Sequence, residues 1–91
     1  MLFRSASGVT VSGRVLTSAE GRGLRNARVT ITSQNGVNRS AYTGRYGYFR
    51  FDEVEAGQNY VISVMSRRFS FTPRVLQVTD NISDVDFVPE Q

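Results

Sequence analysis

The chain has 91 residues, 40% of them hydrophobic and 21% charged, and this length allows one domain with one modest core. Eleven basic residues against 8 acidic ones give a formal charge of +3; every basic residue is an arginine, and cysteine, histidine and tryptophan are absent. Disulfides, zinc fingers, thiol nucleophiles and imidazole bases are therefore excluded, and with them the commonest routes to hydrolysis and metal catalysis.

Residues 1–8 read as an N-terminal extension without the apolar run of a signal peptide, ahead of a domain over 9–88. Nowhere do 18 apolar residues occur together, so no membrane insertion is expected. Val9, Val11, Gly13 and Val15 alternate with polar residues, which predicts a first strand reaching Thr17. A polar loop with Gly21 and Gly23 follows. Ala27, Val29 and Ile31 then alternate in a second strand that ends at Asn35-Gly36, a hairpin pair because both residues tolerate positive φ. A third strand runs from Asn38 to Thr43. Gly44 opens a turn, Phe49 and Phe51 mark a short aromatic fourth strand, and Val54 is expected as a plug beneath a turn that closes at Gly57.

Tyr60, Ile62 and Val64 define the longest strand, and its oppositely facing Val61 and Met65 predict cover on part of its second face. Phe69 and Phe71 precede Pro73, which lacks the donor a central strand needs. Val75, Leu76 and Val78 resume a strand, Asp80-Asn81 turns the chain, and Val85 and Phe87 form the last strand. No segment shows a 3.6-residue apolar period with caps. The reading is an all-β chain: a seven-stranded antiparallel Greek-key β-sandwich, immunoglobulin-like or transthyretin-like. Its expected core is Val11, Val15, Ala27, Val29, Ile31, Phe49, Phe51, Val54, Tyr60, Ile62, Val64, Val78, Val85 and Phe87.

The order Val11-x-Gly13-x-Val15, Gly23-Leu24-x-Asn26-Ala27-x-Val29-x-Ile31, and Thr43-x-x-x-Gly47-x-Phe49-x-Phe51-x-x-Val54-x-x-Gly57-x-x-Tyr60-x-Ile62 resembles the carboxypeptidase regulatory-like domain. That family is similar to transthyretin-like and collagen-adhesin B-type sandwiches, and the resemblance spans Val9 to Val88. It implies that Leu24 tucks under the sandwich, and that Thr43, Gly47, the paired aromatics and the Val54, Gly57, Tyr60 turn keep their family places. It further implies a non-catalytic module attached to peptidases, outer-membrane transporters, adhesins or secreted bacterial proteins, hence an extracellular or cell-surface location. Histidine-bearing sites of some relatives and the adhesin isopeptide crosslink do not transfer, because the chain has neither histidine nor lysine.

Asp52, Glu53 and Glu55 lie close in sequence, but a loop position predicts a solvated turn rather than an acid–base pair. Asp80, Asn81, Asp84 and Asp86 form the densest oxygen-ligand cluster, with weak calcium binding as the alternative to turn and strand-face polarity. Gly44-x-x-Gly47 lacks the helix and lysine of a phosphate loop. No cofactor, metal site or catalytic residue is assigned, and the chain is read as a non-enzyme. The candidate contact surface is Arg39, Tyr42, Arg45, Tyr46, Tyr48 and Arg50, where cations and aromatics interleave; Arg67-Arg68 is a second patch. The leading expectation is a structural, spacer or protein-interaction module that contacts proteins or neighbouring domains. The alternatives are glycan or peptide binding through exposed tyrosines or an edge strand, and a small-barrel nucleic-acid binder. The last is disfavoured because arginines and acids are interspersed along the chain.

Overall fold

The computed structural model describes residues 8–18 and 21–90. It contains β1 (Gly8–Arg14), β2 (Arg28–Ser33), β3 (Asn38–Tyr42), β4 (Tyr48–Glu55), β5 (Gln58–Met65) and β6 (Arg74–Val78). The extension expected over 1–8 lies outside the described residues except for Gly8, which begins β1. The strands form two sheets, β3-β2-β5-β6 and β1-β4, consistent with a β-sandwich of Greek-key-like type. Every pair of these strands is antiparallel. Alternating apolar side chains explain the arrangement: Val11, Phe49, Phe51 and Val54 from one sheet meet Val29, Ile31, Tyr60, Ile62 and Val78 from the other.

The expected antiparallel seventh strand is replaced by a broken segment running parallel to β1. The Ile82 amide donates to the Thr10 carbonyl at 2.9 Å, the Ser12 amide to Ile82 at 2.8 Å, the Val85 amide to Ser12 at 3.1 Å, and the Phe87 amide to Arg14 at 2.9 Å. Ser12 serves both Ile82 and Val85, so Ser83 and Asp84 loop outwards and interrupt the ladder. Val85 then rests against Gly13, where a Cβ would run into the Val85 carbonyl. That close approach accounts for a glycine in the middle of β1.

Three further expectations are corrected. β4 does not stop at Phe51: it continues to Glu55 through a β-bulge, because Val9 pairs with Val54 while Val11 pairs with Phe51. Glu53 absorbs the extra residue at φ 58, and the change of phase returns Val54 to the core. Asp52, Glu53 and Glu55 therefore lie on a strand, not in a loop. Val64 is only half-buried, whereas Phe71 is buried and meets Phe87 edge-on at 6.5 Å. Finally, nothing among the described residues covers the second face of β5, and Val61 and Met65 stand exposed.

Between β4 and β5 the chain changes sheets across Ala56-Gly57. The Gly57 amide donates to the Val78 carbonyl at 2.7 Å, and the Tyr60 hydroxyl donates to the Glu55 carbonyl at 2.7 Å. This corner marks one pole of the sandwich, together with Gly8, the Gln34–Val37 turn and Asp80. The opposite pole is reached at Arg14, Arg28, Tyr42, Tyr48 and Met65, which register places side by side: Arg14 opposite Tyr48, and Arg28 between Tyr42 and Met65.

Candidate functional site

Loops that are far apart in sequence build this second pole, and buried polar bonds hold them together. Thr43 is the buried polar residue of the core. Its hydroxyl accepts from the Ala27 amide at 3.0 Å and donates to the Leu24 carbonyl at 2.5 Å. The Asn26 amide donates to the Thr43 carbonyl at 3.1 Å, and Asn26 takes the left-handed φ of 61 that closes the loop. Beside it, Gly23 and Gly47 touch backbone to backbone. A Cβ on Gly23 would strike the Tyr46 carbonyl, and one on Gly47, which sits at φ +87, would strike that of Val15. On the far side of the pole, the Arg68 amide donates to Ser66 Oγ at 3.2 Å and fixes the turn after β5.

These pinned loops gather arginines that are dispersed in the sequence. Arg22 and Arg25 come from the β1–β2 loop, Arg28 from the start of β2, Arg45 from the β3–β4 turn, and Arg67 and Arg68 from the β5–β6 loop; all are exposed. Arg25, Arg67 and Arg68 line an open groove of about 470 Å³ with Leu24, Asn26 and Ser66. Among the described residues no carboxylate lines it. Among the described residues the one ion pair is Arg50 with Asp52 at 2.7 Å, away from this pole. The corner pole has the opposite character. A cleft of about 190 Å³ opens there between the sheets, with Ile31, Val54 and Tyr60 at its base and Arg39, Glu53 and Glu55 around its mouth.

The six residues expected to form a contact surface do not share one. Arg39 lies at the β3 edge on the core side, its guanidinium 5.7 Å from the Phe51 ring centre and Nη1 3.4 Å from the Glu53 carbonyl. Tyr42 stands on the outer face of the four-stranded sheet. Arg45 and Tyr46 occupy the turn at the arginine pole, while Tyr48 and Arg50 face outwards from β4. Tyr48 lies under the Arg14 guanidinium at 5.0 Å, and Arg50 Nε holds Asp52 Oδ1 at 2.7 Å. Among the described residues the paired aromatic rings are all phenylalanines, so no two tyrosines stack into a joint platform. Arg39, Arg45, Arg50, Arg67 and Arg68 likewise miss the common sheet face that the nucleic-acid reading requires. Arg22, Arg25 and Arg28 were invisible as site residues: only the closure of three loops onto one pole joins them to Arg67 and Arg68.

The acidic cluster of the C-terminal segment is spread along β1 instead of converging. Asn81 Oδ1 accepts from the Thr10 amide at 2.9 Å, Asp86 Oδ1 from the Arg14 amide at 3.1 Å, and Asp80 Oδ1 from the Asn81 amide at 2.8 Å. Among the described residues no three Asp or Glu side chains come together around a metal position. The Asp52 carboxyl is held below its ordinary value by the Arg50 hydrogen bond, against partial desolvation and with help from the Arg50 charge and Thr10. The Tyr60 phenol is pushed up by burial and then by the Glu55 charge, with Arg39 and the bond to the Glu55 carbonyl opposing. Tyr60 ties the corner to β4, whereas the Asp52 pair with Arg50 lies exposed on the surface.

A search of curated proteins returns no match. The model of the carboxypeptidase regulatory-like domain matches residues 10–89, which cover both sheets, the Thr43 pin and the parallel C-terminal segment. The chain belongs to the carboxypeptidase regulatory-like domain family.

Proposed function

We propose that the chain is a structural module that spaces or supports neighbouring domains and contacts protein, in a bacterial surface or secreted assembly of transthyretin-like architecture. The family and fold are typically non-catalytic. The observation that carries the proposal is how the chemistry-bearing side chains are used: Thr43, Tyr60, Asn81 and Asp86 each bond to backbone groups that hold loops or strands in place. Such groups stiffen the body, as a spacer needs. Photocrosslinkers placed at exposed Val75 and Val37 in the native host test this, with covalent capture of a neighbouring domain or protein expected. Turnover of an ester, peptide or glycoside that is lost in E53Q/E55Q would overturn it.

A second reading rests on sheet order. β3 and β6 each have one neighbour within the four-stranded sheet, and β6 turns Val75 to solvent at 71% exposure. An extended peptide added along β6 would complete that edge and cover the cross-strand pair of Val61 and Val75.

A further inference from the structure

The segregation of charge along the sandwich goes beyond the spacer role and does not depend on it. We propose that the arginine pole docks end-on against an anionic lipid surface. Arg25, Arg45, Arg67 and Arg68 stand exposed at one end of the body with no carboxylate within ion-pair distance among the described residues, while the neighbouring Arg28 turns its Nε to Ser40 Oγ at 3.4 Å. Asp86 and Glu90 of the C-terminal segment are engaged by other partners, Asp86 by the Arg14 amide and Glu90 by the Thr72 hydroxyl. The loops are fixed in advance by Thr43, by the Gly23–Gly47 contact and by Ser66, so little backbone ordering remains for binding. Guanidinium forks match phosphate oxygens in pairs, and a basic cluster beside an anionic bilayer gains about 1 kcal/mol per arginine, or about fivefold in affinity for each.

The shape of the pole selects a flat partner over a linear one. Arginines come from loops of both sheets, while Tyr42 and Tyr48 sit on opposite outer faces and the Tyr48 ring already carries Arg14. A single nucleic-acid strand following any one line would meet a minority of the guanidiniums and no row of rings to stack on. A plane meets them together. The rim also carries Met65, Tyr42 and Tyr46 at 69%, 66% and 62% exposure, side chains suited to the boundary between headgroups and acyl chains. The acidic corner pole then points away from the negative surface.

The test is flotation of the full chain with vesicles of phosphatidylcholine alone and with about one third phosphatidylglycerol, at low and high salt. Binding only to the anionic vesicles is expected, weakened by salt and roughly 25-fold weaker in R67Q/R68Q. R50Q, which alters an arginine away from the pole, should bind like the original chain, and matching thermal melts establish that all variants are folded. Equal binding to both vesicle types, or a loss in R50Q as large as in R67Q/R68Q, overturns the proposal. So does a short single-stranded oligonucleotide that displaces the chain from anionic vesicles at equal phosphate concentration, since the pole would then prefer nucleic acid.

Discussion

The two poles of the sandwich are closed by different means, and the difference bears on what each is free to do. At the corner pole closure uses the backbone of acidic residues and one exposed cation: Glu53 forms the bulge, Glu55 offers its carbonyl to Tyr60, and Arg39 lies over Phe51 and reaches the Glu53 carbonyl. At the arginine pole closure is internal. A buried hydroxyl and two touching glycines hold the loops, and among the described residues Arg25, Arg45, Arg67 and Arg68 above them form no ion pair. A pole whose closure is buried can present its charges to a partner without loosening the fold.

Substituting the glycines of the two poles breaks the comparison most sharply. Gly47 and Gly57 have nearly the same φ, +87 and +91, but Gly47 is pressed against the Val15 carbonyl and Gly23, whereas a Cβ on Gly57 meets nothing within 4 Å. Gly47→Val should cost about 4 kcal/mol or prevent folding, because backbone must move, and Gly57→Ala about 1 kcal/mol from conformation alone. Urea titrations of the two variants measure the gap. Next comes Thr43→Val, which keeps the shape but leaves the Ala27 amide and the Leu24 carbonyl without their buried partner. A loss of about 2–3 kcal/mol is expected in the same titration.

Tyr60→Phe probes the corner pole and should cost about 1 kcal/mol at neutral pH. Because the folded-state pKa of Tyr60 is raised, its contribution is complete below the ordinary tyrosine value near 10 and is lost as pH rises through the folded value. Unfolding measured between neutral and strongly alkaline pH should show that decline in the original chain and a shallower one in the variant. The smallest effect belongs to Asp52→Asn on the wet face of β4. Its carboxyl is held low, so its contribution exists above the ordinary carboxylate range and disappears as pH falls through the folded value. At neutral pH and moderate salt no resolvable change in melting temperature is expected, since the pair with Arg50 is exposed.

Much of the fold is legible in the residues because period-two alternation reports burial directly: Val11, Val15, Val29, Ile31, Phe49, Phe51 and Ile62 are buried where alternation puts them. The misses share a cause. A bulge shifts the phase by one residue, so Val54 looked like a plug under a turn when it belongs to the strand. The C-terminal segment pairs in parallel with the first strand, and its Ser83-Asp84 interruption is set by that partner, not by its own sequence. Phe71 precedes a proline and belongs to no strand, yet it is buried against Phe87. The contact surface was the least legible, because an interleaved string of arginines and acids carries no record of which loops converge. Arg67-Arg68 drew notice as a doublet, while Arg25 needed the Thr43 pin to bring it alongside.

The parallel pairing of Ile82 to Phe87 with β1 also sets the order in which a growing chain can assemble. β1 is translated well before the residues that cover Gly13 and complete its ladder. Until they clear the exit tunnel, Val11 and Val15 lack the cover of Val85 and Phe87. The sandwich therefore completes its assembly only once Ile82 to Phe87 are available, and the half-built sheet before that is the stage at which a chaperone has something to protect.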